Sequence, residues 1–272
     1  MNNRVNEFRL KLREYQRARL PELRMEAPSI SRYEGEVTLI AYTFPKDEND
    51  FDFIEFAIRQ SWHCLGKLKA VIIADRMTER LDAFAKANPE VEIQLEPSLK
   101  VGDILTMTDD CIERLHTRFT TPYCLIVQDD GFPLRDRLSE FLGKYDYIGA
   151  PIISDGWKRK LGYAIGMGAF NGGFSLLTKR CCEYAQRMWE KVFSKIWSEK
   201  RFPFGEDVYY TTLLKFLPST WFKFRFPNER EAFEFAVDCL GGHVRPPETA
   251  RPFGVHCPMS IDWAQSKGLL DG

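Results

Sequence analysis

The chain has 272 residues, 44% hydrophobic and 28% charged, enough apolar material for one large α/β core and unlike a disordered chain. Its 38 Lys and Arg against 39 Asp and Glu give a formal net charge of -1, which removes any global drive toward nucleic acid or an anionic membrane. No apolar run approaches the roughly 20 residues that span a bilayer, so no transmembrane segment is expected.

The first segment, Asn2 to Leu23, mixes charges of both signs with Val5, Phe8, Leu12 and Tyr15 at helical spacing. An amphipathic helix ending before Pro21 is predicted, with a linker at Pro28-Ser29, so that residues 1–30 stand apart from the rest. The helix has no apolar stretch of the secretory type. It is expected to dock on the body; pairing with a second copy and lying on a membrane surface are the alternatives.

From Val37 the pattern changes. Val37–Tyr42, Ala70–Ala74 and Tyr123–Val127 are short apolar runs that read as buried strands, and Val91–Leu95 alternates like a strand. Between them lie helical stripes: Ile54 to Leu65 stopped by Gly66, Thr78 to Ala87 stopped by Asn88-Pro89, and Ile104 to Leu115. This alternation predicts a parallel, three-layer α/β sheet over this half of the chain. Further on, strands are expected at Tyr145–Gly149 and Gly173–Leu177, and helices at Cys182–Ile196 and Asp207–Leu217. The last fifty or so residues read as irregular, with Pro246-Pro247 and Pro252. Seven cysteines without a C-x-x-C pair point to a reduced, cytoplasmic chain.

Four stretches carry candidate chemistry. Leu125 to Gly131 delivers Asp129 and Asp130 at the C-terminal end of a strand, where ligands bind in open α/β sheets, and a carboxylate there can hold a hard cation. The bland alternative is a solvated Asp-Gly turn. Asn171-Gly172-Gly173 permits close backbone approach to a ligand, or is an ordinary turn. Glu206-Asp207 opens a helix, where acids either complement the dipole or serve as a general base. His256, one of four histidines, is either a packed residue or a ligand for an Mn²⁺-like ion. No glycine-rich phosphate loop follows the first strand, which argues against a nucleotidyltransferase and a Rossmann oxidoreductase.

Taken in order, Gln128-Asp129-Asp130-Gly131, Tyr145-Asp146-Tyr147-Ile148-Gly149-Ala150-Pro151, Asn171-Gly172-Gly173-Phe174-Ser175-Leu176, Glu206-Asp207 and Pro252-Phe253-Gly254-Val255-His256 resemble the DUF5672 family of GT-A-type glycosyltransferase-like domains. The resemblance runs from about Val37 to His256. It implies a GT-A-like α/β domain over 31–272, a three-layer sandwich on a mixed, mostly parallel central sheet, with 31–131 as the nucleotide-binding half and 132–272 as the acceptor-binding half. It implies transfer of a sugar from a nucleoside-diphosphate sugar to a glycan or other hydroxyl acceptor, inverting and dependent on Mn²⁺ or Mg²⁺, in polysaccharide or glycoconjugate biosynthesis. By position Asp130 and His256 are the metal ligands, and Asp207, with Glu206 beside it, is the base. Thr43, Asp75, Gln128, Asp129, Asn171, Gly172, Gly173 and Lys158 are the substrate-binding residues. Gln128 stands where the family-type D-x-D signature has its first aspartate, which also admits a non-catalytic sugar- or nucleotide-binding module. The expected location is cytoplasmic, with the inner face of a membrane as a peripheral site.

Overall fold

Every residue of β1 (Val37–Thr43) is buried, and its alternate side chains face two different cores. Leu39 and Ala41 enter one; Ile40 and Tyr42 enter the other. β2 (Ala70–Ala74) and β4 (Tyr123–Val127) divide in the same way. A strand covered on both faces needs apolar residues at consecutive positions, so these strands read as unbroken runs. In this computed structural model the described residues are 2–44, 50–100, 103–151, 170–196, 205–214, 223–239, 246 and 249–270.

The main sheet has six strands in the order β3-β2-β1-β4-β7-β6, with β3 (Val91–Leu95), β6 (Tyr147–Pro151) and β7 (Phe170–Thr178) completing it. β3, β2, β1 and β4 are parallel, and β7 runs antiparallel to both β4 and β6. A second sheet of three short strands, β5 (Gly131–Pro133), β9 (Gly254–His256) and β8 (Ala236–Asp238), stands beside it in the order β5-β9-β8. One face of the main sheet carries α1 (Asn2–Met25), α2 (Phe51–Leu65), α3 (Glu79–Ala87) and α9 (Pro258–Ser266). The other carries α4 (Ile104–Glu113), α5 (Leu115–Arg118) and α6 (Lys179–Met188). This is the expected mixed α/β sandwich.

Several boundaries differ from expectation. α1 does not end before Pro21 but runs through it to Met25. Proline removes one helix hydrogen bond, but Leu20 and Leu23 are buried on either side of it and Arg24 pairs with Glu55 and Asp52, which holds the last turns in place. The stripe from Ile104 to Leu115 is broken at Arg114, which leaves helical geometry (φ -128°, ψ -14°) and, with Arg118, turns to Glu96. The expected strand at Tyr145–Gly149 is shifted to Tyr147–Pro151, because Asp146 is buried in a cluster with Thr178, Arg180 and the Arg225 backbone. β7 begins at Phe170, three residues before the predicted start, so Asn171-Gly172-Gly173 lies within a strand and is not a turn. The expected helix from Cys182 starts earlier, as α6, and continues through a π-turn (Trp189–Phe193) to Ile196. The segment read as irregular holds α8 (Glu229–Phe235), β8, β9 and α9; strands of three residues are too short to show a period.

α1 docks on the body, as expected, against α2 and α9. Leu12 is buried, Tyr15 meets the Phe56 ring edge-on at 5.9 Å, and Lys11 faces Asp262 at 3.7 Å. All seven cysteines are free thiols. Among the described residues no helix is long and apolar enough to cross a membrane.

Candidate active site

β1 is the point at which the strand order reverses: β2 and β3 lie on one side of it and β4 on the other. The connections at the C-terminal ends of β1 and β4 therefore part, and a crevice opens between them. There lies a cavity of about 290 Å³ lined by Tyr42, Thr43 and Phe44 at the end of β1, Asp129 after β4, Asp50 and Ile54 near the start of α2, and Arg13 of α1. Asp75 follows Ala74, the register partner of Thr43 on β2; its Oδ2 accepts from Arg76, and its Oδ1 is buried with no hydrogen-bond partner.

The turn after β4 is closed by two backbone bonds between Gln128 and Gly131, of 2.9 and 3.0 Å. It leads straight into β5, whose Gly131 pairs with His256 of β9, and His256 in turn pairs with Asp238 of β8. The small sheet thus gathers residues from three distant stretches of chain at one spot. His256 Nε2 faces Asp130 Oδ1 at 3.5 Å and Gln128 Oε1 at 3.4 Å, while Nδ1 faces Asp238 Oδ2 at 3.3 Å. Burial works against a charged imidazole here, but the carboxylates of Asp130 and Asp238 outweigh it and lift His256 to about 9. Burial, helped by Asp129 and Asp238, pushes Asp130 up to about 6 against the pull of His256.

Asn171-Gly172-Gly173 forms the wall beside this cluster. Asn171 Nδ2 donates to Asp238 Oδ2 (3.0 Å), and its Oδ1 accepts from Gly173 N–H (2.6 Å). A Cβ on Gly173 would stand 2.2 Å from His256 Nε2 and 2.5 Å from Gln128 Oε1, so only glycine lets these groups close in. A Cβ on Gly172 would stand 2.3 Å from Glu206 Oε1. The two glycines therefore separate, by one backbone thickness, the His256 cluster from the acid pair Glu206-Asp207. That pair opens α7 (Glu206–Val208), which continues as a π-turn (Tyr209–Leu213). Glu206 is buried and accepts from Thr108 Oγ1 at 3.2 Å; burial and the neighbouring Asp207 charge raise it to about 7. Asp207, half-buried, accepts from the Val208 N–H, and burial raises it too.

The donor set can be tested against a divalent cation. Among the described residues no group of three His, Cys, Asp and Glu side chains is arranged to hold one. The potential third donor is an amide oxygen. Ligands around a small hexacoordinate ion stand ~3 Å apart, and the separations of Nε2 from Asp130 Oδ1 and Gln128 Oε1 come near that. Asp238 on Nδ1 would leave Nε2 as the ligating nitrogen, as carboxylates hydrogen-bonded to metal-bound histidines do. One carboxylate, one imidazole and one amide oxygen suit Mn²⁺ better than the oxygen-preferring Mg²⁺, at lower charge than two carboxylates, and a bound ion would have to displace the proton that His256 holds.

A family described as a protein of unknown function, DUF5672, matches residues 107–256, more than half of the chain. The chain belongs to the DUF5672 family. The family match holds β4, Gln128-Asp129-Asp130, Asn171-Gly172-Gly173, Glu206-Asp207 and His256, and leaves α1 to β3 outside it. The sequence matches no curated protein. Among solved structures, the DUF5672 chain is similar to the galactosyltransferase LgtC in complex with donor and acceptor sugar analogues (TM-score 0.54, 14% identity, 81% of this chain and 86% of that one). An active-site mutant of LgtC gives TM-score 0.53 at 14% identity and the same coverage. The glycosyltransferase GlyE of Streptococcus pneumoniae TIGR4 gives 0.49 at 12% identity, over 81% of this chain and 54% of that one. The LgtC likeness establishes the GT-A fold of this DUF5672 protein.

Of the residues singled out in sequence, Gln128, Asp130, Asn171, Gly173 and His256 meet in one cluster, with Glu206 and Asp207 behind Gly172. Thr43 and Asp129 line the cavity, and Asp75 stands one strand further on. Lys158 lies outside the described residues of the DUF5672 chain. Sequence reasoning missed Asp238, Thr108, Arg13 and Gln16. Asp238 ends a short apolar run, Phe235-Ala236-Val237, which is a strand-then-acid pattern like that at β4. Gln16 Nε2 donates to the Asp129 carbonyl at 2.5 Å and Arg13 pairs with the Asp129 carboxylate, partners more than a hundred residues apart that no local signal announces.

Proposed function

We propose that this protein transfers a sugar from a nucleoside-diphosphate sugar to a glycan or other hydroxyl acceptor. The observation that carries the reading is the convergence of Asp130 and His256, 3.5 Å apart, at the strand ends of a GT-A fold. The galactosyltransferase LgtC shares that fold. Thr43, Asp75, Gln128 and Asp129 take the nucleotide in the 31–131 half. Asn171, Gly172 and Gly173 face the transferred sugar and acceptor in the 132–272 half. Their chemistry matches the ligand: hydroxyl, amide and carboxylate groups for ribose and sugar hydroxyls.

Asp130, His256 and the Gln128 amide oxygen would hold the divalent ion. When bound, that ion supplies positive charge against the charge that builds on the leaving diphosphate. Asp207 is the general base. Its raised affinity for protons suits it to take the acceptor hydroxyl proton while the acceptor oxygen bonds to the anomeric carbon. The bond from that carbon to the diphosphate oxygen breaks, and the configuration inverts. Glu206, beside Asp207, accepts from Thr108 and packs against Gly172, and stands as the second acid of the pair.

A second reading, a non-catalytic nucleotide-sugar-binding module, is favoured by one observation: Gln128 provides no charge where a second carboxylate would strengthen a metal site. Turnover decides between the two. Purified protein is given a panel of nucleotide sugars with Mn²⁺ and simple glycan acceptors, and released nucleoside diphosphate is measured. The transferase reading predicts release that depends on acceptor and is lost in Asp130→Ala. Binding without any transfer would leave the module; no binding at all would remove both. The setting proposed is polysaccharide or glycoconjugate synthesis on the cytoplasmic side of a membrane.

A further inference from the structure

α1 lies outside the segment that matches the family, yet it reaches the centre of the site. Gln16 is fully buried and fastens the Asp129 carbonyl, so the turn that carries Gln128, Asp129 and Asp130 is held from α1 as well as from β5. Arg13, one turn earlier, lines the cavity between the ends of β1 and β4. Its guanidinium lies 3.5 Å from the centroid of the Phe53 ring, donates to Gln16 Oε1 (3.2 Å) and pairs with Asp129. A guanidinium fixed on three sides is preorganised, unlike an ordinary surface arginine.

We infer that Arg13 is a donor-site residue, a cation supplied by α1 that binds a phosphate of the nucleoside diphosphate. This rests on the reading of the cavity as the donor site. Three observations support it. First, a guanidinium has five N–H donors, and the bonds to Gln16 and Asp129 use only two of them. The cavity side is the direction in which a ligand can reach the rest. Second, the Asp50 and Asp129 carboxylates line the cavity with negative charge, which repels a diphosphate. Among the described residues that line the cavity Arg13 is the cation, and its charge already bears on Asp130. Third, the Arg13 and Asp129 side chains keep 20% and 40% of their exposure, so the pair is open at the cavity mouth. An incoming phosphate gains bidentate, charge-assisted bonds there without prying a buried ion pair apart. Asp129 then acts as the placeholder that keeps the guanidinium aimed when no ligand is bound.

The test is calorimetry on the full chain with Mn²⁺, using UDP, GDP, ADP and CDP and the matching nucleosides, on wild type, Arg13→Met and Arg13→Lys. Methionine keeps the apolar stem over Phe53 and removes the charge. For whichever diphosphate binds, Arg13→Met should weaken it by roughly 10- to 100-fold, with Arg13→Lys in between. Affinity for the nucleoside alone should stay at the wild-type value. If Arg13→Met binds diphosphate as tightly as wild type, the inference is wrong and the transferase reading survives. Equal weakening of diphosphate and nucleoside would reduce Arg13 to shaping the turn and also overturn it. If wild type binds none of the four, the donor-site reading itself fails. Should Arg13→Met not fold, hydrogen exchange of wild type decides: diphosphate, and not nucleoside, must protect the amides around Arg13.

Discussion

The parallel half and the small three-stranded sheet are built on opposite principles. β1, β2 and β4 bury apolar residues on both faces, so that part of the chain is held by area removed from water. The β5-β9-β8 sheet has three residues per strand and carries Asp238 and His256 as buried polar groups. It holds together through close approach at Gly131 and Gly173 and through charge pairs. The first region provides a rigid platform that tolerates no cavity; the second spends stability on holding like charges together, as sites with poised protonation states do.

Substitutions can drive the two regions apart. The largest expected effect is on chemistry: Asp207→Asn should lower turnover by about 10²- to 10⁴-fold, the usual worth of a general base, while calorimetric donor affinity stays unchanged. Donor affinity falling in step with turnover would remove Asp207 from that role. Next in size is a core truncation: Ile72→Ala, at a fully buried site on β2, should cost about 3–4 kcal/mol in urea unfolding yet leave turnover per folded molecule intact.

Glu206→Gln should do the reverse of a core mutation. Burial and the Asp207 charge raise the folded-state carboxyl from the ordinary glutamate range to about 7, so its contribution to stability is complete below the unfolded pKa and is lost as pH rises through the folded one. The variant should match wild type near pH 4 and exceed it by about 3 kcal/mol above pH 7, read from denaturant midpoints at the two pH values. A difference that does not change with pH would mean that Glu206 is not held protonated. The smallest effect expected is for Asp238→Asn, which frees His256 to turn: Mn²⁺ affinity should fall about tenfold with little change in melting temperature.

Legibility followed the same division. The long apolar runs and helical stripes of the first half predicted strands and helices whose edges agree closely with the structure, because burial on two faces leaves a dense mark in the residues themselves. The site was legible as a set of short polar motifs but not as a geometry. Asn171-Gly172-Gly173 read as a turn because glycine pairs usually mark one; here the absent side chains make room for His256, Gln128 and Glu206, a reason that lies across the fold. Asp238 escaped notice because three-residue strands have no period. The helix through Pro21 ran against propensity because tertiary packing of Leu20 and Leu23 outweighed one lost hydrogen bond.

The amino-acid sequence alone determined the layered α/β architecture, the near-neutral net charge, and which acids, amides and histidine are candidates for chemistry. Those properties are local or additive: the apolar period, the net charge, the residue types next to a strand end. Only the tertiary structure decided that Asp130, Gln128, Asp238 and His256 share one spot, that Glu206 and Asp207 stand behind two bare glycines, and that α1 brings Arg13 and Gln16 to Asp129. Side-chain convergence of this kind depends on the pairing of distant strands and the docking of a helix, and non-local contacts leave no periodic trace in the segments that make them.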